Sequence, residues 1–221
     1  MSGTLQATIL KDGASSTNNL TFDSSGNATV GNNLTVTGTS TLNGNTSVTG
    51  TITGSSTIAA ATGTLYPIVS GTAQASTSGT SITFTGIPSW VKRITVMIAN
   101  LTCNTTSTTY LLQVGSGSVT TTGYASQAWT TSGLGVVTSG FALAGNGASA
   151  SYALSGLCFL TLVGSNTWAQ SSSIAYTNVT SVGYLNNGYT PALSGALDRV
   201  VLTTTGGTAT FTSGTINILY E

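Results

Sequence analysis

A glycine-punctuated repeat at residues 31–58 constrains the fold more than any other stretch of the chain. It contains no charged residue, no aromatic residue and no proline. An aliphatic residue, a polar residue and a glycine recur at 36–38, 42–44 and 48–50, six residues apart, and then at 52–54 after only four. A single copy has too few aliphatic side chains to bury them against itself. Such a segment is expected to fold by stacking on copies of itself or by winding with other chains.

Two architectures could bury the aliphatic residues of this repeat. A single-chain left-handed β-helix of hexapeptide repeats, as in some acyltransferases, needs more than four units, and the six-residue period fails at Ile52. Three intertwined chains bury the aliphatic residues better, because each chain adds one to every layer around a shared axis, and glycine permits the close approach. We therefore predict an interwoven homotrimeric β stem, with trimer contacts at Leu34, Val36, Leu42, Val48, Ile52 and Ile58.

The shortage of charge excludes several classes of function. Only 4% of the 221 residues are charged, against about a quarter in an average protein, and the net charge is zero. Four cations cannot form the basic stripe of a nucleic-acid-binding protein or a patch for an anionic membrane surface. No apolar run is long enough for membrane insertion. A surface of hydroxyls and amides suits an oligomer or a larger assembly.

The sequence divides into an anchor, a stem and a head. Residues 1–30 have weak β alternation broken by turn sequences. They are predicted to attach the protein to a partner, although a frayed terminus that orders only as the first turn of the stem is an equal alternative. The first residues lack the basic start and apolar core of a secretory signal. Residues 31–64 form the stem and a hinge, and residues 65–221 form the head.

Alternating apolar residues predict an all-β head without helices. A strand at 152–163 is apolar on both faces between Leu157 and Val163, so it is placed centrally in a sheet or at a subunit contact. Cys103 and Cys158 are interpreted as buried free thiols, with a disulfide as the alternative. The strands together predict a two-sheet sandwich of the jelly-roll type. They are expected at 65–70, 81–85, 91–100, 109–114, 134–143, 152–163, 168–177, 196–204 and 214–220.

Several segments of the head stand out in the sequence. They are the stretch Ser81–Met97 (SITFTGIPSWVKRITVM), the stretch Leu193–Val200 (LSGALDRV) followed by TTTGG at 203–207, and the end Gly214–Glu221 (GTINILYE). Together they resemble a module that closes tail-fibre and other appendage proteins of bacteriophages. The repeat LTVTGTSTLNGNTSVTG also resembles phage fibre stalks. The similar segments span most of residues 31–221.

The resemblance implies a homotrimeric virion protein that is made in the host cytoplasm and then assembled on the phage particle. Its N-terminus would attach to a portal, a tail adaptor or a capsid protein, and its heads would adhere to a glycan or protein of the host surface. The main hypothesis is a tail fibre. The alternatives are a head fibre or decoration protein on the capsid and, from another class, a glycan-degrading enzyme.

Few side chains in the sequence are of the types that catalyse reactions. The chain has no histidine, so a Ser-His-Asp or Cys-His system and a histidine-bound metal are excluded. We predict no enzyme, no cofactor and no metal. The head's two carboxylates, Asp198 and Glu221, leave only a pair across a trimer interface as a route to glycan cleavage. Asp198 is expected to form a fixed ion pair with Lys92 or Arg93, between strands or between subunits, and it need not pair with its neighbour Arg199.

Four aromatic residues lie in turn-rich stretches and are candidates for receptor binding: Tyr124, Trp129, Tyr184 and Tyr189. Aromatic rings there can stack on sugars or pack against receptor loops. The alternative is that they cover the ends of the core or lie at a trimer contact. Trp90 and Trp168, at predicted strand starts, are assigned to the core.

Overall fold

The computed structural model describes residues 9–10, 20–25, 27–31, 33–38, 41, 49, 58–60, 63–106, 108–130, 133–144, 150–179 and 183–221. For residues 9–10, 22, 58–60, 63–65, 128–130 and 133–134 it describes the backbone alone. These ranges contain antiparallel strands and no helix, which confirms the all-β prediction. In them, accordingly, no helix is long and apolar enough to cross a membrane.

The chain divides into two units, Met1–Ser55 and Ser56–Glu221. The first contains a three-stranded sheet of β1 (Ile9–Leu10), β2 (Leu20–Phe22) and β3 (Ala28–Val30). The Asp23 carboxylate accepts hydrogen bonds from the backbone N–H groups of Ser25 (2.9 Å) and Asn27 (2.8 Å). This side-chain turn reverses the chain between β2 and β3.

The second unit contains sixteen strands in its described part. They are β4 (Ile58–Ala60), β5 (Gly63–Leu65), β6 (Val69–Ser70), β7 (Gln74–Ala75), β8 (Ile82–Thr85), β9 (Arg93–Cys103), β10 (Tyr110–Ser116), β11 (Ser118–Val119), β12 (Ala125–Thr130), β13 (Gly133–Val137), β14 (Phe141–Ala144), β15 (Leu154–Gly164), β16 (Thr167–Tyr176), β17 (Gly183–Tyr189), β18 (Arg199–Thr204) and β19 (Phe211–Tyr220).

Two large antiparallel sheets dominate this unit. The nine-stranded sheet has the order β13-β12-β17-β16-β15-β9-β19-β6, with β7 also paired to β19. The five-stranded sheet has the order β11-β10-β18-β8, with β14 also paired to β10. Strands β4 and β5 form a separate hairpin. The inward residues of both large sheets form one hydrophobic cluster, so the two sheets share a single core in a sandwich-like arrangement.

Strand β15 lies centrally, between β9 and β16, as the sequence predicts. Its inward side chains, such as Cys158 and Leu160, are fully buried. The alternate residues Leu157, Phe159 and Val163 are exposed on the other side of the sheet. The second apolar face of this strand is therefore uncovered in one copy of the chain.

Several segments differ from the predicted strand pattern. The predicted strand 65–70 is interrupted at 66–68, and residues 125–130, part of a stretch interpreted as turn-rich, form strand β12.

Two further differences concern later parts of the chain. The predicted strand 134–143 is divided into β13 and β14, which belong to different sheets. Residues 183–189, interpreted as a turn-rich loop, form strand β17. Its Asn186 is buried and donates a hydrogen bond from Nδ2 to the Leu143 carbonyl oxygen at 2.6 Å. Asparagine is typical of turns, but Asn186 is accommodated inside the sandwich because its amide has a backbone hydrogen-bond partner there.

Candidate functional site

Tyr124 is a core residue, which corrects its selection as a receptor contact. Only 2% of it is exposed, and its ring packs edge-on against Phe141 with centroids 5.1 Å apart. Its hydroxyl accepts a hydrogen bond from the Val114 N–H (2.9 Å) and can donate to the Thr120 carbonyl (3.0 Å). Burial raises the pKa of this hydroxyl to about 12. A ring held in this way has no free face for a sugar.

The two tyrosines of β17 point to opposite sides of the sheet. Tyr184 is buried and packs edge-on against Tyr176, with ring centroids 5.7 Å apart; burial raises the pKa of its hydroxyl. Tyr184 therefore covers the core, which is the alternative considered for these aromatics. Tyr189 is 57% exposed, and it lies opposite Ala169 of β16 and Ala125 of β12. Tyr189 is thus available to a ligand.

Trp129 lies on β12, where it pairs with Leu134 of β13, and its side chain is outside the described residues. The predicted core tryptophans behave as expected: Trp168 is buried, and Trp90 is partly buried and stacks on Tyr66 with centroids 4.6 Å apart.

The predicted stem contacts are partly described. Leu34 is 71% exposed and Val36 is 49% exposed in one copy of the chain. Ile58 lies on β4, where it pairs with Leu65, and its side chain is not described. Leu42, Val48 and Ile52 lie outside the described residues. The two aliphatic side chains that are visible in the stem are therefore open to solvent or to another chain.

The ion pairs differ from those predicted from the sequence. Arg93 pairs with Glu221, whose backbone carbonyl also accepts the N–H groups of Lys92 (2.8 Å) and Arg93 (2.9 Å). Asp198 pairs with its neighbour Arg199, with 2.7 Å between the carboxylate and Nε. The expected pair of Asp198 with Lys92 or Arg93 is therefore not formed between strands of one copy. Asp198 precedes β18, so the strand alternation that would separate it from Arg199 does not apply to it.

Asp198 also fixes the end of the five-stranded sheet, and this contact is expected to depend on pH. Its carboxylate accepts a hydrogen bond from the Arg199 side chain and another from the Gly117 N–H at 3.0 Å, and these bonds hold its pKa below the usual value. A carboxyl with a lowered folded-state pKa stabilises the fold above its unfolded pKa of about 4, and this stabilisation is lost as pH falls through the folded-state value.

We expect the melting temperature of the wild type to fall more between pH 5 and pH 2 than that of Asp198→Asn. The difference should be small because the pair is partly exposed. Thermal unfolding followed by circular dichroism at several pH values measures it, and the remaining carboxylates cancel because both proteins contain them. Parallel curves would show that Asp198 contributes nothing to the fold.

The head contains two carboxylates and two thiols whose surroundings the structure describes. Both head carboxylates are engaged by arginines, and the described part contains no group of three or more His, Cys, Asp or Glu side chains that could hold a metal. Cys103 and Cys158 are buried free thiols, as predicted. Burial raises the pKa of Cys158 to about 12, so its thiolate is scarce at neutral pH.

One side of the nine-stranded sheet is suited to binding, and we call it the outer face. One row across it runs through Asn217, Met97, Leu157, Ser173 and Leu185 on β19, β9, β15, β16 and β17. The next row runs through Leu219, Thr95, Phe159, Ser171 and Asn187.

A depression of about 320 Å³ lies on this face beside Leu157 and is lined mainly by Met97, Ala99, Gly156 and Thr215. In the sequence, the apolar residues on both faces of β15 indicate this surface. The part formed by β17 was missed, because its residues were interpreted as a loop.

Comparison of the chain with protein-family models, with curated proteins and with solved structures found no match. The resemblance to phage appendage modules therefore stays a prediction.

Proposed function

We propose that this chain is a structural fibre protein of a bacteriophage particle that works as a homotrimer. The observation that carries the proposal is the exposure of Leu34 and Val36 within an uncharged, glycine-punctuated stem. Full burial of an aliphatic side chain contributes about 1.5–3 kcal/mol, and the described part of one stem copy leaves most of Leu34 and half of Val36 in water. Two further chains would supply the missing surface.

In this proposal the three segments of the chain have separate roles. Residues 1–30 attach the trimer to a portal, tail adaptor or capsid protein. Residues 31–64 form the interwoven stem that sets distance and symmetry. Residues 65–221 form a jelly-roll-like head that adheres to the host surface. Three linked copies of a weak contact gain avidity without a new contact. Of the four aromatic candidates, Tyr189 is the one whose side chain is described as exposed.

The mass of the full chain in solution tests the proposal. Sedimentation equilibrium at micromolar concentration should give about 66 kDa, three times the chain mass of 22.0 kDa. A monomer would overturn the proposal, and a dimer would overturn the threefold stem.

A variant without residues 1–30 separates attachment from assembly. It should remain a trimer and fail to enter particles, and continued incorporation would show that the anchor is elsewhere. Imaging of particles that carry the labelled full chain would then show whether the attachment site is on the tail or on the capsid.

A further inference from the structure

The outer face of the nine-stranded sheet is apolar at its centre although it is uncovered in a single copy. Leu157 and Phe159 occupy the central strand and are 42% and 39% exposed. Leu185, two strands away in the same row as Leu157, is 81% exposed. Monomeric proteins rarely expose a contiguous apolar patch of more than a few hundred Å². A surface of this kind is therefore expected to have a partner.

The size of the face matches that of a stable protein contact. Five strands spaced about 4.8 Å apart span about 24 Å, and three to four rows of outward residues spaced about 6.8 Å apart span about 20–27 Å. The face therefore covers roughly 500–650 Å² in plane, and three such faces that meet around a threefold axis bury roughly 1,500–1,950 Å² per trimer, above the lower limit of about 1,000 Å² for a specific assembly. The area suits a folded protein surface rather than a small ligand.

Charge favours another copy of this chain as the partner. The outer-face residues of these five strands include one charged side chain, Arg93, and Arg93 is already paired with Glu221. An unrelated protein surface carries many charged groups, and burying them against an apolar face costs several kcal/mol for each unpaired ion. A second copy brings a face with the same hydroxyl, amide and aliphatic groups, so no charge is left unpaired.

The face also carries a protrusion and a depression that are suited to each other. Leu185 projects from β17, and the depression of about 320 Å³ lies beside Leu157, between β9, β15 and β19. The two features are about 10–15 Å apart on the same sheet, because the strands are spaced about 4.8 Å apart. Leu185 cannot fill the depression of its own copy, but it can fill that of a neighbour. A contact between two different parts of the same face closes into a ring under rotational symmetry.

We propose that the outer face is the contact surface between the heads of neighbouring copies, with Leu185 of one copy in the depression beside Leu157 of the next. The proposal rests on the homotrimer proposed above and names the head surface that takes part in it. The interface is centred on the rows of Leu157 and Phe159. Tyr189 lies at its rim, where side chains remain accessible to solvent.

Site-directed labelling of the full chain tests this surface. Ser171→Cys places a thiol beside Phe159 on the outer face, and Thr85→Cys places one on β8 of the five-stranded sheet; both positions are exposed in a single copy. The native thiols are buried and give little background. With a maleimide under native, reducing conditions, we expect Ser171→Cys to react at least about tenfold more slowly than Thr85→Cys, because the reagent reaches it only when the heads separate.

A second pair of variants examines the protrusion itself. Adding Leu185→Asn to Ser171→Cys should raise its labelling rate to that of Thr85→Cys, whereas Leu185→Met, which keeps the apolar side chain, should leave it slow. Unchanged slow labelling in Leu185→Asn would overturn the role of Leu185.

Labelling and mass together separate this proposal from the homotrimer. A trimer in which Ser171→Cys reacts as fast as Thr85→Cys would overturn the outer-face contact and leave the homotrimer standing. A monomer with fast labelling at both positions would overturn both. A dimer with a slow Ser171→Cys would support the surface and reject threefold symmetry. A monomer with a slow Ser171→Cys would show that the chain covers its own face, which also overturns the contact.

Discussion

Tyr124→Ala is expected to destabilise the head by about 3–5 kcal/mol, as is usual when a large buried aromatic side chain is truncated. The ring is 2% exposed and packs against Phe141, so its removal leaves a cavity between the two sheets. The loss of its hydroxyl also leaves the buried Val114 N–H without its 2.9 Å partner. Guanidinium unfolding followed by tryptophan fluorescence measures the change, at one fixed protein concentration because the stability of an oligomer depends on it.

Tyr189→Ala is the matched control, since it removes the same atoms from an exposed position of the neighbouring strand. Tyr189→Ala should change the free energy of unfolding by no more than about 0.5 kcal/mol, as for most surface substitutions. Tyr124→Phe separates the two contributions at the buried site and should cost about 1–3 kcal/mol through the unpaired amide alone. Equal destabilisation by Tyr124→Ala and Tyr189→Ala would contradict the packing described for Tyr124.

The four aromatic candidates show how far the sequence can locate a site. Tyr124 and Tyr189 look alike in the sequence, because each is preceded by glycine and lies in a polar, turn-rich stretch. What separates them is the layer of the sandwich beneath each ring. Tyr124 faces Phe141 and the Val114 amide, whereas Tyr189 lies on the outer face. The contact partners of each tyrosine are distant in the sequence. The residues that flank the tyrosine therefore do not predict them.

The fold was predictable where one strand face is apolar and the other polar. The alternation in β9 and β19 identifies both strands. It fails for β17, because Asn186 and Asn187 read as turn residues although a carbonyl of another strand satisfies Asn186. It also fails between β13 and β14, because a continuous apolar run does not reveal where the chain crosses from one sheet to the other.

The ion pairs could not be predicted without knowledge of the path of the chain. Strand alternation gives no reason for Asp198 and Arg199 to pair, because neighbours on a strand point to opposite faces. Asp198 lies one residue before β18, where the backbone is free to bring both side chains together. Glu221 reaches Arg93 because β19 and β9 are adjacent, a pairing that only the sheet order reveals.

The second large effect is expected at Gly156, near the start of β15. Its φ of +146° is a conformation that residues with a side chain rarely adopt. A Cβ there would also collide with the carbonyl oxygen of Ser173 and lie 2.8 Å from the Cα of Ile174, both on the paired strand β16. Backbone atoms of a central strand cannot move aside without loss of ladder hydrogen bonds. Gly156→Ala should therefore cost about 2–6 kcal/mol, the sum of backbone strain and overpacking.

Gly164→Ala separates backbone strain from the collision with β16. Gly164 ends the same strand with a φ of +153°, so its backbone is similarly strained. No atom lies within 4 Å of the position that a Cβ would take there. Backbone strain alone should cost about 1–3 kcal/mol at this site. Guanidinium unfolding of both variants under identical conditions gives the difference, which reports the collision with β16. Equal losses of unfolding free energy in the two variants would mean that β16 shifts to accommodate the methyl group. The close approach of β15 to β16 would then not restrict position 156 to glycine.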